Sequence, residues 1–210
     1  YDALAIRAGN PSIKGMYGVD NFEAEVKRKL FTHNLGHAVM GYLGYLKGYS
    51  YVHETFSDDY LLSIFESALN ETSRALIGMF QNHIDPNEQR EIVDDIRIRF
   101  ANPMIMDTVQ RVARDPIRKL GPEDRLIGSI KLCMNQGIFP ENIAFVCGAA
   151  LCYDYPEDKR ALELQKMISK NGPSRTLEEI TKIKQNSNLA LKIIDAYNTL
   201  QQLKKEWHSH

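Results

Sequence analysis

A chain of 210 residues with 43% hydrophobic content can bury one substantial core or at most two small ones, so one compact domain is the default. Its formal net charge of -1 gives no global attraction to nucleic acid or to an anionic bilayer, and neither is an expected partner. No apolar run approaches the roughly 20 residues that span a membrane, and no charged-then-apolar leader is visible, which points to the cytoplasm.

Three cysteines, Cys133, Cys147 and Cys152, lie in apolar surroundings. Their number is odd and the C-x4-C spacing is not one that zinc uses, so buried free thiols are expected.

The chain opens with an extended start in which Gly9, Pro11, Gly15 and Gly18 mark loops. Asp20 or Asn21 then caps a helix that begins at Phe22, runs to Lys47 and stops at Gly48. Ser57 or Asp58 caps the next helix, through LLSIFESALNETSRALIGMF. Asp85-Pro86 opens EQREIVDDIRIRF, Asn102-Pro103 opens MIMDTVQRVAR, and Asp115-Pro116 begins a short turn that Gly121 stops. Pro122 opens EDRLIGSIKLCMNQ and Pro140 opens ENIAFVCGAALCY. Glu157 to Lys170 is amphipathic and closes at Asn171-Gly172, Pro173 to Ile183 follows, and Asn188 to about Trp207 ends the set before a frayed terminus, EWHSH. No second run of strands and no repeat appears. The expectation is an all-α, single multi-helical domain of roughly eight to ten helices.

Within the first helix the stretch KRKLFTHNLGH concentrates polar groups. At about 100° per residue, taking Lys29 as zero, His33 falls near 40°, His37 near 80° and Asn34 near 140°. Gly36, Gly41 and Gly44 share this side, while Phe31, Leu35, Val39, Tyr42 and Leu46 gather opposite. A helical glycine costs about 1 kcal/mol against alanine. Close approach of a ligand explains three of them, and so does tight packing of another segment.

On such a face Lys29 has no obvious counter-ion and two basic neighbours, Lys27 and Arg28. Desolvation and like charge favour a neutral amine, which is a general base. Asn34 can donate to a developing oxyanion and His37 can bind a substrate hydroxyl, which completes what alcohol oxidation by hydride transfer asks of a protein. A metal reading of His33 and His37 at i, i+4 is weaker, because no Glu lies between them and no third ligand is evident; no metal is expected.

KLFTHNLGH has the K-x4-N-x2-H form of the polyol-specific long-chain dehydrogenases, the mannitol dehydrogenase family, with Lys29, Asn34 and His37 in its three places. NPMIMDTVQRVARDPIRKLGPEDRLIG and KNGPSRTLEEI are similar to later segments of that family in the same order, and the RKL-x3-DRLI run resembles its sugar-phosphate branch. The resemblance implies an NAD-dependent enzyme interconverting D-mannitol 1-phosphate and D-fructose 6-phosphate. It further implies that Lys29 takes the C5 hydroxyl proton, Asn34 stabilises the alkoxide and His37 orients the substrate. No G-x-G-x-x-G follows a strand, and the family's second oxyanion asparagine is missing. Residues 1–210 therefore read as the helical C-terminal domain, whose partner is its own N-terminal Rossmann domain and which alone neither binds NAD well nor turns over.

Arg111, Arg114, Arg118, Lys119 and Arg125 form a basic cluster among Asp115, Glu123 and Asp124. The first turn after Pro116 offers N-H groups to a phosphate, and by resemblance Arg111 and Lys119, with Arg118 beside them, bind a phosphorylated polyol or ketose. For Arg114 with Asp115 or Arg125 with Glu123, ion pairing across helix ends is expected instead. His53 and His83 are expected to bond carbonyls at helix ends, Asp94-Asp95 to be solvated, and the tyrosines of GYLGYLKGYSYV to be half-buried core aromatics. The rival readings of the whole are a hexuronate (fructuronate or tagaturonate) reductase, a mannitol 2-dehydrogenase, and a non-catalytic helical docking domain.

Overall fold

The computed structural model describes Lys14 and residues 18–207. The extended start with Gly9, Pro11 and Gly15, and the last three residues of EWHSH, lie outside the described residues. Among those described there are eleven α-helical segments and no sheet; two extended pieces meet only at an isolated bridge, Tyr51 with Thr108. The all-α expectation holds, and the count exceeds it by one because a π-helical turn divides the first expected helix into two α-segments.

The first long helix is α1 (Phe22–Arg28), a π-helical turn (Lys29–His33) and α2 (Asn34–Lys47) in one continuous run. Asn21 caps it, its Oδ1 accepting from Ala24 N at 3.0 Å, and Gly48 stops it in the left-handed region at φ 84°. Helix α3 (Asp59–Met79) is capped by Asp58, and α4 (Pro86–Phe100) by Asp85 with Pro86 in its first turn.

Two openings expected from proline move. Residues 103–107 are not helical, and α5 (Val109–Ala113) starts only after the Thr108 cap. The cause is tertiary: Val52 N donates to the Asp107 carbonyl at 2.8 Å and Val109 N to the Ser50 carbonyl at 3.0 Å, so this strip extends to pair with 50–52. Likewise Pro122 begins a turn, and α7 (Ile127–Asn135) follows α6 (Pro116–Lys119) later than expected.

Helix α8 (Glu141–Leu151) lies at the centre against α11 (Asn188–Trp207), α2, α3 and α7, while α9 (Lys159–Asn171) and α10 (Pro173–Thr181) pair beside it. Its N-terminal amides have no local cap. Glu71 of α3 supplies one, accepting from Asn142 N at 2.9 Å and Ile143 N at 3.2 Å. Burial raises the Glu71 carboxyl above its ordinary range, against the pull of these bonds.

From Leu35 onward α2 is buried on nearly every side, which the amphipathic reading did not foresee. Its glycines answer to packing. A Cβ on Gly36 would meet Phe65 at 2.9 Å, one on Gly41 Val112 at 2.8 Å, and one on Gly44 Thr55 at 2.6 Å. The chain's own elements therefore occupy the approach that a ligand would need. Tyr42 is fully buried and Tyr45 half-buried, each ring edge-on to Tyr153, in line with core aromatics. The three cysteines are buried free thiols, as expected, with burial raising each thiol's pKa.

Candidate active site

The π-helical turn sets the geometry of the motif. Asn34 N donates to the Lys29 carbonyl, an i to i+5 bond that widens the turn and brings residues five apart over one another. The K-x4-N spacing is that bond, so Lys29 and Asn34 stand closer in rotation than the uniform 100° wheel allowed. The wider turn also lets two consecutive side chains, Phe31 and Thr32, both point inward. Phe31 lies over Gly128 of α7, and Thr32 Oγ1 accepts from the buried Gln89 Nε2 of α4 at 3.1 Å.

Lys29, Thr32 and His33 line a cleft of about 330 Å³ with Glu25, Arg28 and Arg99. Lys29 is exposed there and, among the described residues, makes no ion pair. Its basic neighbours are neutralised: Lys27 pairs with Glu23 at 2.7 Å, and Arg28 with Glu25 at 2.6 Å and Glu88 at 2.8 Å. The desolvation and like charge inferred from sequence are therefore not supplied by this chain. Asn34 is half-buried, and its amide is unengaged among the described residues.

One turn on, the His37 ring stacks on Phe100, with centroids 3.9 Å apart and planes 15° apart, and meets His33 edge-on at 4.7 Å. Asp107 Oδ2 lies 3.7 Å from His37 Nε2, and its other oxygen pairs with Arg111 Nη2. Arg111 is thereby brought to the motif. Lys119 is not exposed to a ligand in this chain: it is buried, and its Nζ donates to the Arg114 carbonyl. Burial, then Arg125 and Arg118, push this amine down to about 7.

The basic cluster is more fully paired than its sequence implied. Arg118 binds Asp115 at 3.1 Å and Asp124 at 2.9 Å; Arg125 takes Asp124 at 2.8 Å rather than Glu123, which Lys131 holds at 2.6 Å. The expected pairing of Arg114 with Asp115 does not form; Arg160 approaches Asp115 instead, at 3.9 Å. The amides expected to receive phosphate after Pro116 are also taken: Arg118 N donates to Asp115 Oδ1 and Lys119 N to the Asp115 carbonyl, both at 3.2 Å. His53 and His83 depart from expectation as well. His53 Nδ1 is buried without a hydrogen-bond partner among the described residues, and His83 is exposed. Asp94 and Asp95 lie exposed, as expected, with Asp95 on Arg99 at 2.7 Å.

Sequence reasoning missed Asp107 and Phe100. Asp107 stands four residues before Arg111, an i, i+4 ion-pair spacing that carried the signal.

Burial, then His33, with Arg111 and Arg125, push the His37 imidazole down to about 3; Asp107 opposes them. His33 is lowered too, chiefly by burial and then by Lys29. In the unfolded chain histidine titrates near 6.5, so below that pH the unfolded state binds protons that the folded state refuses. Stability should fall as pH drops below about 6.5, at up to about 1.4 kcal/mol per pH unit for His37. Urea unfolding between pH 6.5 and 4.5, above the range where carboxylates dominate, should show this slope, and His37→Gln should reduce it.

A model of the mannitol dehydrogenase C-terminal domain family matches residues 19–201. The chain is 39% identical over 194 residues to a mannitol-1-phosphate 5-dehydrogenase of Thermoanaerobacter pseudethanolicus, covering 92% of this chain and 50% of that protein. A second relative of that name, from Caldanaerobacter subterraneus, is 36% identical over 189 residues, 90% of this chain and 48% of the relative. This chain thus spans about half the length of the curated relatives it matches. Among solved structures, the Pseudomonas fluorescens mannitol 2-dehydrogenase in ternary complex with NAD and D-mannitol superposes with a TM-score of 0.72 at 23% identity, over 93% of this chain and 43% of that one. A substrate-free D-sorbitol dehydrogenase gives 0.73 at 18%, over 95% of this chain and 44% of that one. The fold is shared with both, and the chain belongs to the mannitol dehydrogenase C-terminal domain family.

Proposed function

We propose that this chain is the helical, substrate-binding half of an NAD-dependent, cytoplasmic enzyme that interconverts D-mannitol 1-phosphate and D-fructose 6-phosphate. The observation that carries the reading is the π-helical turn, whose i to i+5 bond links Lys29 to Asn34 on an open face, with His37 one turn beyond. In this reading the Lys29 amine accepts the hydroxyl proton as the carbon-bound hydrogen leaves as hydride. The Asn34 amide donates to the oxygen as its charge develops, which is where a fixed dipole gains most. His37 orients the hydroxyl and Arg111 faces the substrate's oxygens.

NAD, when bound, takes the hydride. The curated relatives extend to about twice the length that this chain covers, which supports assigning the cofactor to an N-terminal Rossmann domain outside this chain. Closure of that domain over Lys29 is the source of the desolvation that the exposed face lacks.

The names of the relatives support the phosphorylated substrate over its rivals. The deciding experiment compares mannitol 1-phosphate, mannitol and the alcohol product of a hexuronate reductase as hydride donors to NAD in the full-length enzyme. A kcat/KM at least about tenfold higher for mannitol 1-phosphate is expected, which is about 1.4 kcal/mol of transition-state preference. Preference for either rival would overturn the substrate assignment. The 210-residue chain alone should show no turnover.

A further inference from the structure

Asp107 is fixed by its main chain independently of its side chain. Its carbonyl accepts from Val52 N at 2.8 Å, its own N-H donates to the Ile105 carbonyl at 2.8 Å, and its neighbour Thr108 bridges Tyr51. The carboxylate so placed divides between two groups of the candidate site: Oδ2 faces His37 Nε2 at 3.7 Å, and Oδ1 pairs with Arg111.

The His37 ring has its plane set by the stack on Phe100 and its edge by His33. What remains free is which nitrogen carries the single proton of the neutral imidazole. A carboxylate facing Nε2 favours the proton there and leaves Nδ1 as an acceptor. Arg111, whose side chain is 59% exposed, has one edge held by the same carboxylate and its remaining N-H groups open to solvent.

We propose that Asp107 is a positioning residue: it holds His37 as the Nε2-H tautomer, so that Nδ1 accepts from a substrate hydroxyl, and it fixes the Arg111 fork toward the substrate's oxygens. The proposal rests on the site reading above.

Asp107→Asn tests it with a definite sign. Arg111 is a donor only, so it takes the carboxamide oxygen; the NH2 then faces His37 Nε2 and makes that nitrogen the acceptor. Nitrogen-15 NMR of the histidines in the 210-residue chain should find Nε2-H in the unaltered protein and Nδ1-H gaining population in D107N, with Asp107→Glu restoring Nε2-H. In the full-length enzyme D107N should lower kcat/KM about 10- to 100-fold, in line with other partners that orient a histidine. Added to His37→Ala and Arg111→Ala together, D107N should cost little more, because its action passes through both.

Nδ1-H in the unaltered chain overturns the proposal, whether or not D107N folds. So does an unchanged tautomer in D107N, or a loss that adds in full to those of the other two replacements. Retained turnover in a Lys29 variant would count against the site reading instead, so the two failures are distinguishable.

Discussion

Lys29→Ala should cut turnover in the full-length enzyme by about 10²- to 10⁴-fold, the usual contribution of a positioned general base. Melting should be almost unchanged, because Lys29 is exposed and makes no ion pair among the described residues; surface replacements of this kind usually stay within about 0.5 kcal/mol. On the proposed role the loss should fall on kcat, since a base that acts as the O-H bond breaks adds little to ground-state binding. A small added amine that fits the vacated space should restore part of the rate. Asn34→Ala should cost about 10²- to 10³-fold, as removal of an oxyanion donor does elsewhere. On the proposed roles Lys29 and Asn34 serve one transition state, and the double variant should then be much less impaired than the product of the two losses. A domain that only docks a partner predicts the opposite pattern: weaker association with the N-terminal half, and turnover near normal once the halves are joined.

The parts of the fold readable from sequence are those in which a local rule was left unopposed. Asn21, Asp58 and Asp85 cap helices because their short side-chain acceptors reach the amides two or three residues on. Gly48 ends α2 because only glycine enters the left-handed region without strain. The same rules misplaced α5 and α7. Asn102-Pro103 is a valid helix opening, but the backbone of 50–52 competes for the main chain of 107–109, and those bonds join parts of the chain far apart in sequence. The π-helical turn was hidden for a related reason. Nothing in KLFTH demands an i to i+5 bond; it follows from burying Phe31 against α7 and Thr32 against α4 at the same time. At the site, K-x4-N-x2-H named Lys29, Asn34 and His37 and the basic run named Arg111. The sequence did not reveal that Asp107 would pair with Arg111 and also face His37, because the second approach exists only after the 103–108 strip has folded back on 50–52.

Gly148 should be the least replaceable glycine in the central packing, although no turn requires it. It lies in α8 where α11 crosses, and a Cβ there would stand 2.7 Å from Tyr197 N, 2.8 Å from Ala196 Cβ and 2.9 Å from the Ala196 carbonyl carbon. Two effects oppose each other in Gly148→Ala. Alanine favours the helix by about 1 kcal/mol, while overpacking a filled core costs about 1–3 kcal/mol. Overpacking wins here because two of the three atoms met are main chain and cannot rotate away. Either α11 moves off α8 as a unit, exposing the buried Ile193 and Leu200, or the strain remains. Gly148→Leu should exceed about 4 kcal/mol, the range of mutations that break a core. Gly78 in α3 supplies the control. A Cβ there meets only the end of the Gln136 side chain, at 2.6 Å, and a flexible amide can swing aside. Gly78→Ala should therefore be neutral or more stable by up to about 1 kcal/mol. Urea unfolding should lower the midpoint for Gly148→Ala and leave it unchanged or raise it for Gly78→Ala. If Gly148→Ala proved as stable as the parent, the close contact between α8 and α11 would be wrong, and with it the packing assigned to the centre of the domain.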